Sequence, residues 1–357
     1  METRTKALIA VVILIVAAIL ALQGIKSSRS GANSDIMVKS QRESVAAKEL
    51  KYPVAKELVS PDGYINTEPG LTIKDNIGKK VILVDFWTYS CINCQRTLPY
   101  LNSWEEKYAD KGLLIIGVHT PEFAFEKEYN NVLAAVEKYG IKYPVVLDNE
   151  YRTWSAYQNR YWPRKYLIDI DGFIVYDHIG EGAYDETEKK IVELLDERSE
   201  ALKLGQDVKL DSSKPEVPKT EFEKIRTPEI YFGYGFSRGQ LGNTEGFSPD
   251  NTVEYKYPEE IGRSMFYLNG PWLNNNDNME SQGNASVLLA YSAKQVNIVA
   301  GSEEPVTLGI YLDGQQYSTV NVSGFDLYTV VPGQDYGEHV LEIEAPKGAM
   351  IYTFTFG

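Results

Sequence analysis

The sequence predicts an α/β domain, a central mixed sheet with helices on both faces, followed by an all-β sandwich or jelly roll and preceded by one membrane-spanning helix. Three observations carry this reading. Between residues 51 and 205, apolar strand-like runs alternate with helical patterns and close on a hairpin and a helix, the order expected of a sheet covered by helices. From 227 to 357 no helix of any length can be read, and short alternating segments are separated by Gly, Pro and Asp-Gly turns, as in antiparallel sandwiches. Residues 7–25, "ALIAVVILIVAAILALQGI", carry no charge.

Taken in order, the elements divide the chain into five parts: an anchor at 1–25, a tether at 26–50, the α/β domain at 51–205, a linker at 206–226 and the β-sandwich at 227–357. A spanning helix needs about 20 apolar residues, so the anchor just suffices, with a cleaved signal peptide as its rival. Basic residues flank it on both sides, Arg4 and Lys6 before, Lys26 and Arg29 after, so charge does not orient it. Either reading places the bulk of the chain outside the cytoplasm, in the periplasm or at the cell exterior. The tether is polar and without strand periodicity, and "PDGYIN" and "EPGLTIKDNIGKK" after it read as a short hairpin and loop.

"VILVDFW" (81–87) is a continuous apolar run, as in a strand buried on both faces. "CINCQRTLPYLNSWEEKYADKG" follows as a helix ending at Gly112, with Ser90 as its expected N-cap and Pro99 inside it. "LLIIGVH" (113–119) and "YPVVLD" are strands, separated by the helical "EFAFEKEYNNVLAAVEKYG". "KYLID" and "FIVYDHIG" flank Asp171-Gly172, a strong hairpin signal, and "YDETEKKIVELLDERSEALKLG" is a final amphipathic helix. The linker is charged and contains proline.

Composition narrows the function. A net charge of −14 leaves no basic excess for a nucleic-acid partner. The only two cysteines are Cys91 and Cys94, at the far end of the buried strand. A disulfide closed across two residues is a poor staple, because it removes little chain entropy. A structural zinc site needs four ligands, and His119, His178 and His339 form no ligand-spaced group with the thiols. No metal and no cofactor beyond a Cys91–Cys94 disulfide is expected. Redox exchange remains. Cys91 stands at a helix start, where unpaired N–H groups favour an anion. Cys94, one turn on, is placed to attack Cys91 once a mixed disulfide has formed. Asp85, inside the apolar strand, is the natural base for Cys94; burial should raise its pKa toward neutrality.

"VDFWTYSCINCQRTLP" resembles the thioredoxin-superfamily active site. "HTPEF" and "YPVVLD" resemble the added segments of membrane-anchored TlpA/ResA-type thiol–disulfide oxidoreductases. "GVHTPEF", "TPEIYFGYG" and the terminal "TFTFG" resemble the C-terminal periplasmic region of DipZ-type proteins, in which a redoxin domain precedes a sandwich similar to a carbohydrate-binding module. The resemblance spans about residues 50–357. It implies a cis bond at Pro163, a docking edge formed by Pro163 and Trp162 that pairs with an extended substrate, and a contribution from Trp87. Ser90, Thr97 and Glu122 are candidate tuning residues; Ser90 and Thr97 stand where the family often has Trp and an acid. The family also implies disulfide-bearing protein substrates. Its multi-span electron-transfer domain has no counterpart in this sequence, so the resemblance implies a separate membrane donor of CcdA type.

Two other classes compete. "Thr88-Tyr-Ser-Cys91" echoes the T-x-x-C of peroxiredoxins, though the expected upstream Pro is Val84. A binding protein would instead use the sandwich: Tyr231, Tyr234, Phe236 and Trp272 offer stacking surfaces for a glycan, or the domain binds a partner protein. Aromatics in short strands are more often core.

Overall fold

The structure, a computed structural model, describes residues 43–357 except 212, 218, 219 and 334. The expected anchor at 7–25 and most of the tether lie outside the described residues. Among the described residues, no helix is long and apolar enough to cross a membrane.

The first half is built around β2 (Val81–Trp87), buried at all seven positions. The other strands are β1 (Gly63–Ile65), β3 (Leu113–His119), β4 (Val145–Leu147), β5 (Arg164–Ile168) and β6 (Ile174–Ile179). Their order, β1-β4-β3-β2-β5-β6, puts β2 inside the sheet. β2, β3 and β4 run parallel, and β1, β5 and β6 run antiparallel to their neighbours. The expected N-terminal hairpin is instead a lone edge strand, β1, which pairs with β4. The helices are α1 (Val45–Glu49), α2 (Ile92–Tyr108), α3 (Tyr129–Lys138), α4 (Arg152–Ala156) and α5 (Tyr184–Ala201). Leu101, Val136 and Leu195 bring α2, α3 and α5 onto one face of the sheet. The short α4 and the coil around Leu58 and Ile73 cover the other.

Side-chain alternation along β2 assigns the faces. Leu83, Asp85 and Trp87 point to the α2/α5 side, and Val84 and Phe86 to the opposite side. Lys48 at the end of α1 is buried. Its ammonium sits between Asp169 at 2.6 Å, Asp171 at 2.8 Å and Glu197, joining the start of this half to the β5–β6 hairpin and to α5.

The second half departs from a two-sheet sandwich. Strands β7 (Ile230–Tyr231), β8 (Thr252–Tyr255), β9 (Phe266–Asn274), β10 (Met279–Ser281), β11 (Ala285–Ala293), β12 (Val296–Gly301), β13 (Val306–Leu312), β14 (Gln315–Val322), β15 (Asp326–Val331), β16 (Gly337–Ala345) and β17 (Met350–Phe356) form one continuous 11-stranded antiparallel sheet. The cause is β9. Its first part, Phe266–Asn269, pairs with β11, and its last part, Trp272–Asn274, pairs with β10. At the corner Gly270 takes φ +84°, and a Cβ there would stand 2.6 Å from the Asn284 carbonyl oxygen. Only glycine fits so tight a bend. The ends of the sheet, β14 and β15, lie against each other, so the sheet nearly closes into a barrel.

Residues 48–357 form one compact unit. One apolar cluster runs from Cys94 and Trp104 of the first half through Phe123 and Phe125 to Tyr231, Val299 and Tyr352 of the barrel. The expected linker at 206–226 connects two halves that share a core.

Candidate active site

The CxxC segment begins where β2 ends. Cys91, not Ser90, caps α2: it has extended φ/ψ and its Sγ accepts from the Cys94 N–H at 3.4 Å. Ser90 is drawn away from capping because its hydroxyl donates to Glu126 Oε1 at 2.6 Å. Cys91 is half-buried and Cys94, one turn deeper, is buried. Burial, aided by the negative charges of Cys91 and Asp85, pushes the Cys94 thiol well above its ordinary range. Asp85 is 1% exposed. Burial lifts its carboxyl from 3.8 to about 7, against the pull of the Lys165 ammonium. Its Oδ1 has no hydrogen-bond partner.

Lys165 was not legible as a site residue from the sequence. The register places it directly opposite Asp85 across β2–β5, where facing side chains are about 5 Å apart at Cβ. Lys165 is fully buried, and its Nζ donates to the Gly180 carbonyl at 3.2 Å. On the other side of Asp85 the opposing residue is Gly117. A Cβ there would meet Trp87 Nε1 at 3.0 Å and Tyr143 at 3.3 Å.

The second residue missed is Glu126. It is fully buried, and burial raises its carboxyl despite the hydrogen bonds it accepts. Oε1 binds the Ser90 N–H and hydroxyl; Oε2 accepts from the N–H groups of Glu122 (2.6 Å) and Phe123 (3.0 Å). One carboxylate therefore ties the turn before Cys91 to the "HTPEF" loop. Glu122, four residues earlier and expected to tune the site, faces the barrel instead. It accepts from the Tyr231 hydroxyl at 2.6 Å, and burial lifts it to about 8. The polarity of the loop was readable in the sequence; which of its acids turns inward was not.

Thr97 is buried and bonds the Asn93 carbonyl, with the Tyr184 hydroxyl 3.3 Å away. Trp87, expected to contact substrate, is a correction: β2 continues through it and its side chain falls on the helix-covered face, with no exposed surface. Its ring packs edge-on against His119 at 5.2 Å. His119 is itself buried, and burial drives it down to about 3, leaving a neutral imidazole. The Trp162–Pro163 peptide bond is cis. The Trp162 ring is half-buried, packs at a tilt of 36° on Trp154 with ring centroids 4.2 Å apart, and donates to the Thr120 carbonyl at 3.0 Å.

Barrel residues reach this site. The Tyr89 hydroxyl donates to the Phe325 carbonyl at 3.3 Å. Phe125 stacks on Phe325 at 5.2 Å and meets Tyr352 edge-on at 4.8 Å, and Phe123 packs on Phe236 at 5.6 Å.

A capping thiol above a buried thiol, with a buried acid alongside, is a dithiol-exchange arrangement, and the comparisons agree. Residues 66–195 match the Redoxin family and residues 227–357 the family described as thioredoxin like C-terminal domain. Thiol-disulfide oxidoreductase ResA of Bacillus thuringiensis is 34% identical over 118 residues, 33% of this chain and 65% of ResA. The chain thus carries a Redoxin domain followed by a thioredoxin like C-terminal domain. The chain is also 39% identical to Protein DipZ of Mycobacterium tuberculosis over 308 residues, covering 85% of this chain and 43% of DipZ. The chain thus spans less than half the length of that relative. Thiol-disulfide oxidoreductase YkuV of Bacillus subtilis is 27% identical over 148 residues, 42% of this chain and 97% of YkuV. Among solved structures, a thioredoxin-like protein in the oxidized form aligns at 26% identity and a TM-score of 0.38, covering 41% of this chain and 97% of its own.

Proposed function

We propose that the protein is a membrane-tethered oxidoreductase that reduces protein disulfides outside the cytoplasm. Cys91 attacks a substrate sulfur and forms a mixed disulfide. Asp85 takes the Cys94 proton, and the Cys94 thiolate attacks Cys91, closing the Cys91–Cys94 disulfide and releasing the substrate thiolate. The observation that carries this reading is the pairing of a half-buried capping thiol with a buried one beside a carboxyl poised near neutrality. Trp162 and Pro163 form the docking edge; among the described residues nothing pairs with the main-chain N–H and C=O of Trp162, which leaves them open to an extended substrate. The apolar run at 7–25 supports the tether and the extracytoplasmic location, and a separate membrane donor of CcdA type supplies electrons. The barrel braces the catalytic loop. Its candidate sugar-stacking residues are largely committed elsewhere, Trp272 to the core and Tyr231 and Phe236 to the contact with Phe123.

The peroxidase reading is disfavoured by Thr88, which is fully buried with its hydroxyl engaged 3.4 Å from His119 Nε2. The test is Cys94→Ser. Incubated with a disulfide-bonded protein, it should accumulate a dithiothreitol-sensitive covalent adduct at Cys91. Absence of any adduct, with Cys91→Ser indistinguishable from it, would end this assignment.

A further inference from the structure

The turn that delivers Cys91 is held mostly from outside. Within residues 88–91 the main chain closes on itself through a bond from the Cys91 N–H to the Thr88 carbonyl, at 3.4 Å, beyond the usual range of about 2.7–3.2 Å. Ser90, the residue ahead of the nucleophile, is fixed instead by Glu126. Glu126 in turn grips the Glu122 and Phe123 N–H groups. The series of contacts continues into the barrel, because the Glu122 side chain accepts from the Tyr231 hydroxyl at 2.6 Å. "HTPEF" and "TPEIYFGYG" thus meet in one bond between residues 109 apart in sequence. Tyr231 is 6% exposed and fixed on its own side. It lies on β7, paired with Thr353 of β17. Its ring packs between the Arg238 guanidinium at 4.5 Å and the rings of Phe123 and Phe236.

We propose that Tyr231 is a positioning residue for the Cys91 nucleophile, acting through Glu122, Glu126 and Ser90. This rests on the dithiol-exchange reading. Tyr231 fixes residue 122 from the barrel side while Glu126 fixes it from the catalytic side. The carboxylate so anchored holds Ser90 where Cys91 must stand to cap α2. Cys91 then keeps its Sγ 3.4 Å from the Cys94 N–H, the contact by which a helix start favours a thiolate. A second clasp runs alongside, since the Tyr89 hydroxyl donates to the Phe325 carbonyl. Both residues ahead of the nucleophile are therefore referred to the barrel, Tyr89 directly and Ser90 through two acids. The second half of the chain thereby shares in setting the reactivity of Cys91.

Alkylation of Cys91 by iodoacetamide, followed from pH 5 to pH 10 in the Cys94→Ser background, reads this position. The midpoint of the rate profile reports the thiolate. Tyr231→Phe deletes only the hydroxyl and keeps the ring. It should raise the midpoint by about half a pH unit, an approximately threefold loss of thiolate below it, the size of a partly lost helix-start effect. Ser90→Ala, at the other end of the series, should shift the midpoint the same way. The double variant should shift no further than the larger single, because both changes break one connection. Glu122→Leu removes the other partner of the Tyr231 bond and should match Tyr231→Phe, which keeps the test available if that variant does not fold. An unmoved midpoint, even with a lowered melting temperature, overturns the proposal, and so do two shifts that simply add. A parent protein whose Cys91 is not alkylated at any pH overturns the exchange reading instead.

Discussion

Replacing Asp85 by Asn should flatten the pH dependence of stability. In the folded protein burial raises this carboxyl from its ordinary 3.8 to about 7, so between these values the folded chain holds a proton that the unfolded chain has lost. The resulting contribution is fully present below pH 4 and is lost as pH rises through 7. A rise of this size is worth about 4 kcal/mol at full ionisation. The wild-type protein should therefore lose about 4 kcal/mol from this group between pH 4 and pH 8, and Asp85→Asn should lose none of it. Glu122, Glu126 and Glu181, also raised by burial, add slopes common to both proteins. The measured quantity is thus the difference between wild type and variant. Lys165 loses its partner in the variant, which makes its ammonium easier to deprotonate and moves the difference the same way. Urea unfolding of the reduced proteins at half-unit pH steps measures this difference. Parallel curves across pH 4–8 would show that Asp85 is not the raised group, and its assignment as the base for Cys94 would lose its footing.

Two further substitutions test the framework around the site. Lys48→Met leaves Asp169 buried beside Asp171 and Glu197 with no ammonium between them. Losing one side of such a buried cluster should cost about 3–5 kcal/mol, more at pH 8 than at pH 5, read by chemical denaturation. Glu126→Gln keeps the side-chain shape but gives up one of the two acceptor oxygens that serve Ser90, Glu122 and Phe123. It should cost about 1–3 kcal/mol and speed amide exchange at those three residues; unchanged exchange there would mean that the carboxylate does not hold the turn.

The legible parts of the fold share one property: each is written in consecutive residues. The buried run of β2, the CxxC turn, the Asp171-Gly172 hairpin and the change of texture after the linker could all be read directly. What escaped depends on which strand lies beside which. Lys165 follows Arg164 at the start of an apolar strand and looks like a solvated end; only the β2–β5 register brings it against Asp85. The shift from Glu122 to Glu126 has the same origin, since a polar loop does not declare which acid turns inward. Trp87 is buried because its side chain falls on the helix-covered face of β2, packed against His119, where the resemblance implied a role toward substrate. The single sheet of the second half turns on the bend at Gly270, one glycine among 28 in the sequence.

The aromatic seam between Phe123, Phe125 and the barrel has a consequence for inheritance. Severing the chain within 206–226 would leave Phe123 and Phe125, now 2% and 9% exposed, bare on the loop that Glu126 ties to the nucleophile's turn. A free catalytic half would then carry an adhesive patch, and would aggregate or seek another cover. A cut at this connector is therefore not neutral for this chain, because the catalytic half would need new residues, or another cover, at Phe123 and Phe125.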